Sequence, residues 1–190
     1  MTTAPYLIVI GGSAGGLHPI LTLLPGLVAS LPAAILIVLH RQSHYESVLT
    51  DLLSAKSTLP VKEASEKEPL LPATIYIAPA DYHLLIETDH TFSLDDSEKV
   101  NFSRPSIDVT FTSAALAYGS RMTALLLSGA NTDGTEGLID VHDAGGTTAV
   151  QDPATADSDY MPRQAILHAP VDIILQPSEM AAFINRMAEV

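Results

Sequence analysis

Hydrophobic positions along the chain fall into two alternating textures. Short runs are apolar at every position: Tyr6-Leu7-Ile8-Val9-Ile10, Ala33-Ala34-Ile35-Leu36-Ile37-Val38-Leu39, and Met122 to Leu127. Successive side chains of a strand point to opposite faces of its sheet, so a run without alternation predicts a strand buried on both sides. Between the runs, apolar residues recur at helical spacing. Leu17, Ile20, Leu21, Leu24, Leu27 and Val28 form one stripe from Leu17 to Leu31, which Pro25 and Gly26 kink or split. Val48, Leu49, Leu52 and Leu53 form a second within Tyr45 to Lys56, and Ile107, Phe111, Ala114, Ala115 and Tyr118 a third that opens after Pro105 and ends at Gly119.

The middle of the chain reads differently. Val61 to Glu68 is polar and carries no clear element, and Pro69 and Pro72 interrupt the chain before the next strand. That strand is Thr74 to Ala78, and His83 to Glu87 with Thr91 to Leu94 form a hairpin closed around Thr88-Asp89-His90. Asp95 to Ser103 is an acidic-polar loop. The last third gives a helix over Gly137 to Asp143, a strand over Thr147 to Gln151, a loop over Asp152 to Asp159, a helix over Pro162 to His168, a strand over Val171 to Leu175 and a helix over Ser178 to Ala188. Strands alternating with helices predict an α/β fold with a parallel sheet covered on both faces.

Composition narrows this little. A chain of 190 residues with 47% hydrophobic content and no internal linker is expected to form one domain, residues 1–190. Without cysteine it has no disulfide, thiolate metal site or cysteine nucleophile. The N-terminus lacks a basic leader and no apolar run reaches the length of a membrane span, so cytoplasmic is the expectation. The formal charge of −13 argues against nucleic acid and acidic membrane as partners.

Chemistry concentrates at Gly11-Gly12-Ser13-Ala14-Gly15-Gly16, between the first strand and the first helix. A dinucleotide cradle needs glycine where this chain has Ser13, which leaves nucleotide binding a minor reading. The nucleophile-elbow pattern G-x-S-x-G is matched in full, and would place the Ala14 amide and a helix dipole near a developing oxyanion. His40 ends the second buried strand, and Asp133 lies in the turn after Met122 to Leu127. A parallel sheet brings such loops to one edge, where a serine, an imidazole base and an orienting carboxylate can meet. The order Ser…His…Asp departs from that of the α/β-hydrolases. Each residue also has a plainer reading: His40 as a strand-end histidine bonded to backbone, Asp133 as a turn or N-cap residue. His40 and His44 have the i, i+4 spacing of a helical zinc pair, but no glutamate follows His40. Arg104 is a partner for a substrate carboxylate or for one of the chain's own acids, and His18, His90, His142 and His168 read as solvated or capping.

Several segments, in order along nearly the whole chain, are similar to blocks of one family. They are Ile8 to Gly16, Ile75-Tyr76-Ile77-Ala78-Pro79 with His83-Leu84, Arg104-Pro105-Ser106-Ile107-Asp108, Leu127 to Leu138, Ala144-Gly145-Gly146 with Ala149 to Asp152, and Met161-Pro162. The chain resembles the catalytic domain of CheB-type chemotaxis protein-glutamate methylesterases. The resemblance implies a doubly wound, mostly parallel sheet with an antiparallel edge hairpin in a three-layer α/β/α arrangement. It implies hydrolysis of glutamate methyl esters, and deamidation of certain glutamines, on the cytoplasmic helices of chemoreceptors, with no metal or organic cofactor. Ser13 would be nucleophile, His40 base and Asp133 its orienting carboxylate, with oxyanion donors near Ala14 and Ala130. The chain differs from the family's usual pattern at Ala14 (usually threonine), at Gly129-Ala130-Asn131 (usually Gly-Met-Gly) and at Arg41-Gln42 (usually Met-Pro). Those changes motivate a second reading, a catalytically weak binding or scaffold domain. The phosphoreceiver domain that usually precedes this domain is not in the sequence, which raises the expectation of a free-standing esterase.

Overall fold

The structure, a computed structural model, describes residues 3–40 and 46–189; Arg41, Gln42 and His44 lie outside the described residues. In chain order the elements are β1 (Tyr6–Gly12), α1 (Leu17–Leu23), β2 (Ala33–Leu39), α2 (Glu46–Ser54), β3 (Val61–Glu63), β4 (Thr74–Ile77), β5 (His83–Ile86), β6 (Phe92–Asp95), α3 (Ile107–Tyr118), β7 (Met122–Leu126), α4 (Thr135–Asp143), β8 (Thr147–Gln151), α5 (Tyr160–His168), β9 (Ile173–Leu175) and α6 (Pro177–Met187). Seven strands form one sheet in the order β3-β4-β2-β1-β7-β8-β9. Every pairing in it is parallel.

Strand β1 shows why its sequence does not alternate. Leu7 and Val9 pack with Ile107, Phe111, Leu138 and Met161, so α3, α4 and α5 cover that face. Tyr6, Ile8 and Ile10 pack with Ile20, Leu53, Phe183 and Ile184, so α1, α2 and α6 cover the other. Each such aliphatic side chain contributes about 1.5–3 kcal/mol by leaving water, and both faces must be dry. The result is the expected three-layer sandwich. No helix among the described residues is long and apolar enough to cross a membrane.

The chain winds from β1 through α1 to β2 in one direction, and from β7 through α4 to β8 in the other. Loops leaving the adjacent ends of β1 and β7 therefore diverge and open a crevice at the sheet's carboxyl edge.

The hairpin of β5 and β6 is a two-stranded antiparallel sheet of its own, with His83 opposite Asp95 and Ile86 opposite Phe92. Backbone bonds between Phe92 and both Lys67 and Glu68 tie it to the segment before β4. The Phe92 ring meets Tyr76 edge-on with centroids 4.9 Å apart.

Two boundaries differ from the sequence expectation for physical reasons. Strand β1 continues through Gly12 because Gly11 and Gly12 pair with Val38 and Leu39, a main-chain contact that hydropathy does not record. Strand β3 lies in the segment read as polar and is a three-residue edge strand held by backbone pairing to β4, with only one face inward. The first helix divides where Pro25 stands, giving α1 and a 3₁₀ turn over Leu24–Gly26.

Helices α3 and α4 approach closely at Gly137, where an added Cβ would lie 2.6 Å from Phe111 Cβ and 3.1 Å from Asp108 Cα. Gly137→Ala is expected to destabilise the fold by about 1–3 kcal/mol through overpacking. Urea unfolding checks this: the midpoint falls with an unchanged slope, and an unmoved midpoint would contradict so tight a crossing.

Candidate active site

Ser13 is the first residue after β1 and His40 the first after β2, where its amide donates to the Gly12 carbonyl at 3.2 Å. Both line a cavity of about 300 Å³ walled by Leu17, Leu39, Val48, Leu49 and Leu52. The turn carrying Ser13 demands glycine at position 15. Its φ is +80°, and a Cβ there would meet Asp157 Cβ at 2.6 Å and Ser128 Oγ at 2.7 Å. The Ser128 hydroxyl donates to the Ala14 carbonyl at 2.7 Å and accepts from the Ser158 amide at 2.9 Å, and the Ser13 amide donates to the Ser128 carbonyl at 2.9 Å. The crevice between β1 and β7 is thereby stitched at its base.

Asp133, fully buried in the loop after β7, reaches across to His40. Its Oδ2 lies 2.7 Å from His40 Nε2 and 2.7 Å from the Ile107 amide. Its Oδ1 accepts from the Ser106 hydroxyl at 2.8 Å, the Asp108 amide at 3.1 Å and Asn101 Nδ2 at 3.1 Å. The carboxylate thus sits on the N-terminus of α3, where unpaired amides and the helix dipole favour negative charge. Burial pushes its pKa up, but the His40 bond and the amides of Ile107 and Asp108 outweigh this and hold the carboxyl at about 2. Asp133 is therefore an acceptor and the Nε2–H of His40 donates to it, which leaves Nδ1 as the other ring nitrogen. Ser103 Oγ lies 3.2 Å from that Nδ1 and donates to it. Among the described residues the Ser13 hydroxyl makes no hydrogen bond, so the structure brings Ser13 and His40 into one cavity and bonds only His40 to Asp133.

A second carboxylate mirrors the first. Asp108, in the first turn of α3, accepts from the amides of Gly134 and Gly137 at 2.8 and 2.7 Å and so caps α4. Each helix start is thus held by an acid from the other's end, and Asn101 Nδ2 bridges the two, reaching Asp108 Oδ2 at 2.7 Å. Burial is the main reason that the Asp108 pKa rises to about 7; the Gly137 and Gly134 amides oppose it and the neighbouring Asp133 charge adds to it.

Buried His83 completes the frame. Its Nδ1 accepts from the Ser106 amide at 3.2 Å, so its Nε2–H donates to the Glu98 carbonyl at 2.9 Å and fixes the acidic loop. Arg104 serves the same loop, donating from Nη1 to the carbonyls of Asp96 and Ser97 at 2.5 and 2.6 Å. The bonds that Asp95 accepts from the Ser97 amide and hydroxyl hold its carboxyl below the usual range, and the nearby Arg104 charge adds to this. Among the described residues the amides of Ala14 and Ala130 have no protein acceptor. Ala130 lies along a second cavity, of about 290 Å³, with Asn101, Phe102, Asn131, Thr132 and Tyr160. His90, read as solvated or capping, stacks on Tyr118 with centroids 4.2 Å apart, and its Nε2 lies 3.3 Å from the Ala117 carbonyl in the last turn of α3.

Asn101, Ser103, Ser106 and Asp108 were not singled out from the sequence as site residues. Ser106 carried a local signal, as an N-cap opening a helix whose first turn holds an acid. Asn101 and Ser103 carried none, since their roles depend on loop geometry.

The fold and these side chains define a doubly wound α/β protein with serine, histidine and aspartate gathered at the carboxyl edge of its sheet. Residues 8–184 match the CheB methylesterase family, and the chain belongs to it. A relative from Leptospira interrogans is 42% identical over 180 residues, covering 95% of this chain and 93% of its own. The protein-glutamate methylesterase/protein-glutamine glutaminase of Thermotoga maritima is 36% identical over 172 residues; the match takes in 89% of this chain but only 50% of that protein. The crystal structure of the Thermotoga maritima CheB methylesterase catalytic domain superimposes with a TM-score of 0.92 at 34% identity, over 96% of this chain and 98% of that one.

A carboxyl whose folded pKa is raised contributes stability that is full below the ordinary aspartate value, near 4, and is lost as pH rises through the folded value, here about 7. Wild type is thus expected to lose Tm across that window more steeply than Asp108→Asn. Thermal unfolding from pH 4 to 8 checks this; parallel curves would show that Asp108 titrates normally. The depressed group, Asp133, acts in the opposite sense, and its contribution is lost only as pH falls from near 4 through about 2.

Proposed function

We propose that this protein is a serine protein-glutamate methylesterase, residues 1–190 forming one catalytic domain, with Ser13 as nucleophile, His40 as general base and Asp133 as the carboxylate that orients it. The observation that carries this reading is the 2.7 Å bond from buried Asp133 to Nε2 of His40, a residue that lines one cavity with Ser13. The named relatives carry an esterase name, which favours turnover over a scaffold role.

The Nε2 contact with Asp133 supports one use of the ring nitrogens. Asp133 holds Nε2–H, so the proton from Ser13 Oγ passes to Nδ1, the nitrogen that Ser103 occupies at rest. Oγ attacks the ester carbonyl, and the unpaired amides of Ala14 and Ala130 receive the charge that develops on its oxygen. Collapse breaks the carbon–oxygen bond to the methoxy group, which leaves as methanol with the proton from Nδ1. Water then adds to the acyl-enzyme, giving one proton to Nδ1, which returns it to Ser13 Oγ as the acyl–oxygen bond breaks; the released glutamic acid gives up the water's second proton to solvent. A glutamine amide follows the same course with ammonia leaving. Through both steps Asp133 stabilises the imidazolium. Arg104 contributes by holding the loop that carries Asn101 and Ser103. The substrate in this reading is a methylated cytoplasmic helix of a chemoreceptor or a related signalling protein, which sets the protein in the cytoplasm.

Methanol release from a methylated receptor cytoplasmic fragment tests the reading. Ser13→Ala is expected to lower turnover by about 10³-fold or more, and Asp133→Asn by a similar factor through loss of the tautomer. A Ser13→Ala protein that still turns over would refute the assignment.

A further inference from the structure

The loop before α3 ends in a two-residue turn. Val100 and Ser103 exchange backbone hydrogen bonds, Val100 N to Ser103 O at 3.2 Å and Ser103 N to Val100 O at 2.9 Å. Between them Asn101 and Phe102 have φ of +51° and +62°. Two consecutive left-handed residues are the geometry of a type I′ turn, for which Asn-Gly is the favoured pair. Asn101 fits its position. Phe102 does not: a left-handed backbone is strained for a bulky side chain, and glycine would adopt it freely.

The strained residue is also 97% exposed, the most exposed large hydrophobic side chain among the described residues. It thus gains nothing from packing within this chain. Its two neighbours do the opposite, since Asn101 bonds Asp133 and Ser103 bonds His40. The turn is therefore fixed to the catalytic base and its carboxylate while its tip projects outward. Phe102 and Tyr160, itself 48% exposed, both line the cavity of about 290 Å³ that Ala130, Asn131 and Thr132 also line. Strain concentrated in an exposed aromatic at such a place is a mark of function, since stability alone selects against it.

We infer that the Asn101–Ser103 turn is a substrate finger, with Phe102 and Tyr160 forming an aromatic clamp for the apolar face of the helix that carries the glutamate ester. The inference rests on the esterase reading and adds to it how the protein substrate is held. With a formal charge of −13, this chain gains no coulombic attraction from a helix rich in glutamate. Affinity must then come from apolar contact beside the ester, where methylation has removed the substrate's charge. A helical residue three or four positions from the ester shares its face and reaches the clamp. The occupant is accordingly an apolar side chain one turn from the methylated glutamate.

The experiment compares Phe102→Gly and Phe102→Leu in the Ser13→Ala background, which traps the complex, using calorimetry with a methylated receptor cytoplasmic fragment. Phe102→Gly is expected to weaken binding about tenfold, the loss of one well-buried aromatic contact. It should also raise Tm by about 2–4 °C as the turn relaxes, a change that a merely structural role would not produce. Phe102→Leu should recover most of the binding. A Kd unmoved by Phe102→Gly, or a fragment that does not bind, overturns the inference. So does a dimer in sedimentation that Phe102→Gly disperses, because a second copy would then be the occupant. Failure of the parent reading shows elsewhere, as turnover that survives Ser13→Ala.

Discussion

The site depends on one constraint: a buried carboxylate cannot stay ionised without donors, and Asp133 finds them at the start of a neighbouring helix. The Ile107 and Asp108 amides, the Ser106 hydroxyl and Asn101 surround it, leaving one direction open for His40 Nε2. The same amides that stabilise the charge fix its position, so the orientation of the imidazole follows from the packing of α3. Because Asp108 reciprocally caps α4, the two helices and the two loops beside them form one unit. The close crossing at Gly137 keeps that unit tight.

The sheet supplies the rest. Winding reverses between β1 and β7, so the Ser13 turn and the Asp133 loop diverge while remaining neighbours at the strand ends. His40 arrives from β2 on the far side of β1. Residues separated by up to 120 positions thereby share one edge without any local sequence relation. The acidic loop before α3 closes the remaining side, held by His83 and Arg104 acting on its carbonyls.

Much of this was legible in the sequence, for identifiable reasons. The buried strands β1, β2 and β7 announce themselves because both faces must be apolar, and the glycines around Ser13 because the turn tolerates no side chain at position 15. Ser13, His40 and Asp133 could be grouped because parallel strands put their carboxyl ends on one edge. What hydropathy could not carry was geometry set by the main chain: the pairing of β3, the separate hairpin sheet, and the turn that points Asn101 inward and Phe102 outward. Asp108 carried no signal for its role, because only the arrival of α4 makes it a cap for a second helix. Arg104 bonds the carbonyls of Asp96 and Ser97, partners that only the course of the loop supplies.

The proposed catalysis requires that Asp133 hold His40 through Nε2 and leave Nδ1 free to take the serine proton. Nitrogen-15 NMR of labelled histidine measures this directly. At neutral pH His40 is expected to be the Nε2–H tautomer, with a strongly downfield Nε2 proton that disappears in Asp133→Asn. A His40 ring protonated on Nδ1, or one averaging between tautomers as a free imidazole does, would contradict it.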